Sequence, residues 1–315
     1  MKFGQKFWKF SLGLLAVVIF YSCETEFIPE GTNLETEVVV EGYIEAGENA
    51  TPPFLFLTKS VSFFSEFDPS AIEDLFIHDA VVAVSDGDNS FALNEFCLDE
   101  IPVDLRPVII EALGFDPDSL NINLCVYLDI TGGLVGVEGG TYDLEIQLED
   151  GKTLTAATTI PPHVAISNLR FVKPAEEAPD SLLELRGVIN DIANRSDFYR
   201  YFTAINNNTF RAPFQSVVDD AFFDGSEFEF PLPNADFITE ESNFETFGLY
   251  HVGDTARIKW ANLDDRHFEF WSTLEFNAVS QGPFSSYTQV VTNIEGGLGI
   301  WGGYSQSQYQ IVVKE

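Results

Sequence analysis

Alternation of apolar and polar residues marks most of this chain as β-structure. Tyr142, Leu144, Ile146 and Leu148 alternate with Asp143, Glu145 and Gln147, and Asp150-Gly151 then turns the chain into Thr153 to Thr159. One face of that hairpin is core and the other is wet. The β-branched and aromatic runs Val38 to Ile44 and Phe54 to Thr58 are parted by Ala46 to Pro53, which is rich in Gly, Asn and Pro as a connection between strands should be. Val81 to Val84 leads through Asp86-Gly87-Asp88-Asn89 into Phe91-Ala92-Leu93, the pattern of a second hairpin. Ile160-Pro161-Pro162 ends this first set, since two prolines close a strand and start an extended connection. A second set follows at 164–172, 182–189, 198–205, 228–230 and 256–260, with turns at Asp224-Gly225 and Gly253-Asp254.

Two stretches favour helix. Asp104 as cap, Pro107 in the first turn, an apolar face of Val108, Ile109, Ala112 and Leu113, and Gly114 as stop predict a short helix inserted in the first set. It reads either as a lid over a binding site or as a decorated loop. Asp264 and Asp265 predict a capped helix running to about Ser280, with Phe268, Trp271, Leu274 and Ala278 inward and Gly282-Pro283 as its stop. The fold class is therefore all-β. An immunoglobulin-like β-sandwich over residues 36–162 is followed by a second β-sandwich over 163–315 that carries one helix. The final strand, Tyr304 to Val313, is expected to pair within the second domain, returned onto Tyr287 to Ile294 by the glycines between Gly296 and Gly303.

The N-terminus sets the compartment. Lys2, Lys6 and Lys9 precede an apolar run from Leu12 to Phe20, and Ser22 stands directly before Cys23. That is the layout of a signal peptide, residues 1–22, ending at a lipidated Cys23, with 23–35 as a tether. The apolar run falls short of the roughly 20 residues that a membrane-spanning helix needs. Lys and Arg total 16 against 50 Asp and Glu, and removal of Lys2, Lys6 and Lys9 leaves 13 against 50. Such acidity disfavours nucleic acid and bare anionic membrane surfaces as partners and reads first as a solvated face of an exported protein, with dedicated cation binding as the alternative. Cys97 and Cys125 remain as an isolated pair in an oxidising compartment. A disulfide is the first reading and free core thiols the second.

Catalytic chemistry is not signalled. His78, His163, His251 and His267 are scattered without metal-ligand spacing, no EF-hand loop is present, and no Gly-x-Ser-x-Gly occurs. No catalytic residue, metal ligand or cofactor is nominated. In the run Gly296 to Tyr304, Trp301 and Tyr304 offer ring faces to a sugar or peptide. Glycines in strands more often mark a bulge or close packing, and the absence of Lys with a following helix excludes a phosphate-cradling loop.

Five segments in order carry a resemblance: VVVEGYI at 38–44, GGTYDLEIQLEDGKTLTAATTIPP at 139–162, DDAFFDG at 219–225, GDTARIKWANLDDRHFEFWSTL at 253–274 and TNIEGGLGIWGGYS at 292–305. With the lipoprotein signal before them, the chain resembles the Bacteroidota lipoprotein family described as domain of unknown function 4249. Acidic Glu24 and Glu26 after Cys23 are similar to the surface-export signal of such lipoproteins. The resemblance implies an outer-membrane protein held by lipid on Cys23 and a TonB-dependent uptake receptor as possible partner, but no activity. A lipid-anchored binding or accessory protein without catalysis is the expected function. The alternatives are a structural or adhesive surface protein, or a hydrolase.

Overall fold

The computed structural model describes residues 36–61, 72–113, 115–118, 120, 122–174, 178–235, 246–279 and 289–314. The signal peptide, Cys23, the tether, Gly114, Gly282-Pro283 and Tyr287 lie outside them. The expected β-richness is found. In the first half, β1 (Val38–Gly47), β2 (Phe54–Lys59), β3 (Val81–Ser85), β4 (Ser90–Cys97), β5 (Cys125–Leu128), β6 (Thr141–Gln147) and β7 (Thr153–Thr159) follow one another, with a short helix α1 (Arg106–Ala112) between β4 and β5. In the second half come β8 (Ile166–Val172), β9 (Leu182–Asn190), β10 (Phe198–Ile205), β11 (Val217–Asp219), β12 (Glu227–Pro231), β13 (Tyr250–His251), β14 (Thr255–Leu263), helix α2 (Asp265–Val279) and β15 (Leu298–Val312).

Local chemistry accounts for the hairpins. Tyr142, Leu144 and Ile146 are buried and their neighbours exposed, as the alternation requires. Gly151 takes a positive φ of 86° at the β6–β7 turn, closed by bonds from Gly151 N to Leu148 O (3.0 Å) and Leu148 N to Lys152 O (2.9 Å). At the β3–β4 turn the Asp86 carboxylate accepts from the backbone N–H groups of Asp88 and Asn89 at 3.0 and 2.7 Å.

Eleven strands form one sheet in the order β11-β10-β14-β15-β1-β2-β5-β4-β3-β6-β7. Strand β9 is the centre of a smaller sheet, with β12, β13 and β8 as its partners. The large sheet bends back on itself. Thr155 of β7 and Glu295, just ahead of β15, exchange backbone bonds of 3.2 and 2.8 Å, so β7 at one edge meets the approach to the strand seven places along the order. The enclosed core contains Ile44, Leu55, Tyr142, Ile146, Leu154, Ile160 and Trp301. A second core, between β9 and the β10–β14 part of the large sheet, holds Leu185, Tyr199, Tyr250, Ile258 and Trp260. Ile160 belongs to the first core and Val164 to the second, so the two prolines carry the chain from one to the other. Both cores lie in the same compact unit.

The final strand corrects one expectation. Its second half pairs antiparallel with β14, from Tyr304 opposite Leu263 to Val312 opposite Thr255. Its first half pairs parallel with β1, from Leu298 opposite Val39 to Gln306 opposite Gly47. One strand of 15 residues thus serves both halves of the chain. No return onto residues 289–294 as a strand occurs. Instead the Asn293 side chain imitates a neighbouring strand, accepting from Trp301 N at 2.9 Å and donating to Trp301 O at 2.8 Å.

Glycines make this strand possible. Side chains alternate across it, so Gly303 faces β7 and Gly302 faces α2. A Cβ on Gly303 would sit 2.9 Å from Thr158 Oγ1, and one on Gly302 would sit 2.6 Å from the His267 ring. Gly299 has a φ of 105°, and a Cβ there would lie 1.8 Å from Val40 O.

The helices also depart in detail. Helix α1 starts after Leu105 with no side-chain cap, so Asp104 does not cap it. Ile110 is its most buried described residue, Ile109 and Leu113 of the expected face pack against the same cluster, and Val108 is 65% exposed. With only seven residues, under two turns, the pattern does not fix which face turns inward. Helix α2 is capped as expected: Asp264 Oδ1 accepts from His267 N at 2.8 Å. Its most buried residues are His267 and Phe270.

Cys97 and Cys125 sit opposite each other on β4 and β5 and are joined by a disulfide across 28 residues of sequence. Closing a loop of that size stabilises the fold by about 3 to 4 kcal/mol through the unfolded chain. Cys97→Ser is expected to lower unfolding stability by about 2 to 4 kcal/mol, read by denaturant melts. Melts that coincide with the parent protein would show that the loop entropy is offset elsewhere.

Candidate functional site

Strands β10, β14, β15 and β1 present one face to a cleft of about 410 Å³. Period-two alternation sends Ile258 and Trp260 of β14 into the second core and Arg257 and Lys259 to the opposite face. Arg200 and Phe202 come from β10, Tyr304 and Gln308 from β15, and Tyr43 and Glu45 from β1. The register sets Lys259 between Phe202 and Gln308 and sets Glu45 beside Tyr304. His267 and Trp271 of α2 form one wall, while Phe54, Phe115 and Phe210 contribute to the rest of the lining.

A buried polar network lies at the floor. Lys259 Nζ donates to Glu45 Oε1 at 2.8 Å and to the Tyr304 hydroxyl at 3.1 Å, and that hydroxyl donates to the same Glu45 carboxylate. Glu45 Oε2 accepts from Thr51 N at 3.1 Å. Burial and the Glu45 carboxylate push the Tyr304 phenol well above its usual range, so it stays protonated. Arg200 is sandwiched rather than ion-paired at close range. Its guanidinium carbon lies 3.5 Å from the Trp271 ring centroid and 4.8 Å from that of Phe202. Its Nε donates to Ser216 Oγ at 2.9 Å, and Ser216 is bonded in turn to Glu275.

His267 is 1% exposed and stacks on Tyr43 with ring centroids 5.6 Å apart. Burial, and then the nearby Arg200 charge, draw its pKa down to about 3, so the imidazole is neutral at physiological pH. Its Nδ1 faces Gly303 O at 3.5 Å, and its Nε2 has no hydrogen-bond partner among the described residues.

The helical insertion borders the cleft. Glu111, Leu113 and Phe115 line it, the Phe115 ring meets Phe56 edge-on at 5.8 Å, and Thr209 Oγ1 donates to Phe115 O at 3.4 Å. The two aromatic candidates separate. Tyr304 is in the cleft, whereas Trp301 is wholly buried in the first core with its indole donating to Tyr142 O at 3.1 Å. Trp301 is therefore not available to a ligand; the glycines around it serve close packing.

Among the described residues, two groups of ligand-type side chains lie elsewhere. Asp191, Asp197 and Asp220 bring carboxylate oxygens within 4.8 Å of one another. Arg195 Nε donates to both oxygens of Asp197 at 2.9 and 2.8 Å, Tyr199 and Gly225 N donate to Asp191, and Asp197 N donates to Asp220. Burial raises the pKa values of Asp197 and Asp220. Near the disulfide, His78 Nδ1 and Glu95 are 2.5 Å apart, but the bonded sulfurs of Cys97 and Cys125 provide no thiolate.

An all-β protein whose two cores share one strand, with an aromatic and cationic cleft on that shared face, is the class that fold and site define. The chain belongs to the family described as domain of unknown function DUF4249, whose model matches residues 24–310. No curated protein matches it.

The depressed His267 pKa makes stability depend on pH. The folded value, about 3, lies below the unfolded value of about 6.5. The unfolded chain therefore binds more protons between those values, and stability is full above about pH 6.5 and falls as pH drops toward 3. His163, also lowered by burial, adds in the same direction. Denaturant melts from pH 7 to pH 5 are expected to lose stability, and His267→Gln is expected to flatten that slope. An equal slope in the variant would place the acid sensitivity elsewhere.

Proposed function

We propose that this protein is a lipid-anchored binding module of the outer membrane, of the Bacteroidota lipoprotein kind, that holds a small ligand in the cleft as accessory to a TonB-dependent uptake receptor. The cleft carries this reading. It is concave, walled by aromatic rings, and provided with a few convergent polar groups, which is the make-up of a small-molecule site. Catalysis is disfavoured by the bonding there. The neutral imidazole of His267 has no serine, threonine or cysteine hydrogen-bonded to it among the described residues, so this histidine activates no nucleophile. The anchor rests on the sequence from Lys2 to Cys23.

Two measurements test the reading. Compounds from a mixed metabolite collection that raise the melting temperature of the protein should lose that effect in Gln308→Trp, which fills the cleft from an exposed strand position. Ligands that stabilise both forms equally, or none at all, would remove the cleft as the site. For the anchor, Cys23→Ala should release the protein from membranes in cell fractionation with its fold intact. Retention of the variant would mean that another feature holds it there.

A further inference from the structure

We infer that the cleft takes a small aromatic carboxylate, its single negative charge held by Arg257 beside Lys259 and its ring lodged among the aromatic walls. This rests on the binding reading above and names the ligand class.

The argument begins with charge. The chain carries 50 acidic side chains and 16 basic ones, a net −34, yet three of the basic groups, Arg200, Arg257 and Lys259, converge on the floor of one cleft. They differ in what they have left to give. Arg200 is held face-on by Trp271 and Phe202 and is tied to Ser216. Lys259 spends two of its three donors on Glu45 and Tyr304. Arg257 is the open one. Its Nη1 donates to Asn206 O at 3.1 Å and its guanidinium carbon lies 4.6 Å from the Phe210 ring centroid, while Nε and Nη2 have no protein partner among the described residues. A guanidinium fork with two adjacent free donors fits a carboxylate in bidentate fashion. Lys259 is two residues along the same face of β14, about 7 Å away by strand rise, close enough for its third donor to reach the same anion.

Shape and surroundings narrow the class. A cleft of about 410 Å³ is at the small end for organic ligands, enough for one or two fused rings and too short for an oligosaccharide. Phe54, Phe115, Phe202 and Phe210 offer ring faces and edges to a planar body. The one buried carboxylate of the floor, Glu45, is already neutralised by Lys259. Glu41 and Glu111 stand exposed in the lining, and with the net charge of the chain they oppose a dianion or polyanion. A single carboxylate is the anion that gains from Arg257 without that penalty.

The test is calorimetric titration of the full-length protein in detergent with 2-naphthoate and its uncharged analogue 2-naphthamide. Naphthoate should bind at least about 10-fold tighter than the amide, and Arg257→Gln should weaken naphthoate by about 10- to 100-fold while leaving the amide unchanged. Phe210→Leu, a second variant that keeps the charges, should weaken both compounds. Equal binding of acid and amide, or an Arg257→Gln variant that binds naphthoate as the parent does, overturns the carboxylate assignment. So does a complete lack of naphthoate binding. In each of those cases the binding reading itself stands if other ligands stabilise the parent and not Gln308→Trp, and falls if none does.

Discussion

The constraint on which this structure depends is the close packing of β15 on both of its faces. A strand covered on one side only needs alternation; a strand covered on both must also let two layers approach its backbone. Gly302 lets the His267 ring of α2 lie against one face, and Gly303 lets Thr158 of β7 lie against the other. Thr158 in turn bonds Asp264, the residue that caps α2, and donation from Gly303 N to Thr158 Oγ1 at 2.6 Å completes the tie. The helix, the folded-back edge of the sheet and the shared strand are thereby fixed by three side chains, His267, Thr158 and Asp264, and two missing ones. The cleft follows from that arrangement, because α2 can form its wall only where β15 has no side chain in the way.

Much of the fold was legible in sequence because it is written locally. The alternation in β6 and β7, the Asp-Gly turns, the Asp264 cap and the crossing at Pro161-Pro162 each depend on neighbours within a few residues. The cysteine pair was legible from counting, since two thiols in an oxidising compartment leave one pairing. What was not legible is the parallel pairing of β1 with β15. Val39 and Leu298 are far apart in sequence, and no local pattern selects a partner at that range. The glycine run supports two readings in sequence, a tight return and close packing, because glycine serves both; only the presence of α2 and β7 on its two sides distinguishes them.

The cleft was less legible still, and for a physical reason. Its lining comes from β1, β2, β10, β14, β15, α2, the disulfide-tied insertion and the segment around Phe210, so no single stretch carries it. A signal did exist in β14. In Ala256-Arg257-Ile258-Lys259-Trp260, two of the chain's few basic residues alternate with residues of the second core, which places both cations on one face of a strand. Tyr304 was noticed for its ring and Trp301 with it, but alternation puts residues three apart on opposite faces, and only one of the two could reach the cleft. In sequence His267 is one of four scattered histidines, because a lone histidine on a helix has no distinguishing pattern until the glycine beneath it is known.

The floor of the cleft is also where the electrostatics of the chain are inverted. Elsewhere the acids are largely solvated, and their mutual repulsion is weakened by salt over about 8 Å. At the floor, Lys259 and Glu45 are withdrawn from water, with side-chain exposures of 13% and 4%. A buried pair of this kind is a weak source of stability, because desolvation cancels most of the attraction, whereas removing one partner leaves an uncompensated charge. Its effect here is orientation. Glu45 receives Lys259, the Tyr304 hydroxyl and Thr51 N, and so fixes the lysine against the sheet and the loop that follows β1. Arg200 is fixed by two aromatic faces and Ser216, with Glu275 Oε1 4.0 Å from its Nη2. Both cations are thus immobilised before any ligand arrives, in a setting where charge is little screened, and the ordering cost that flexible basic side chains would otherwise add to binding has already been met by folding.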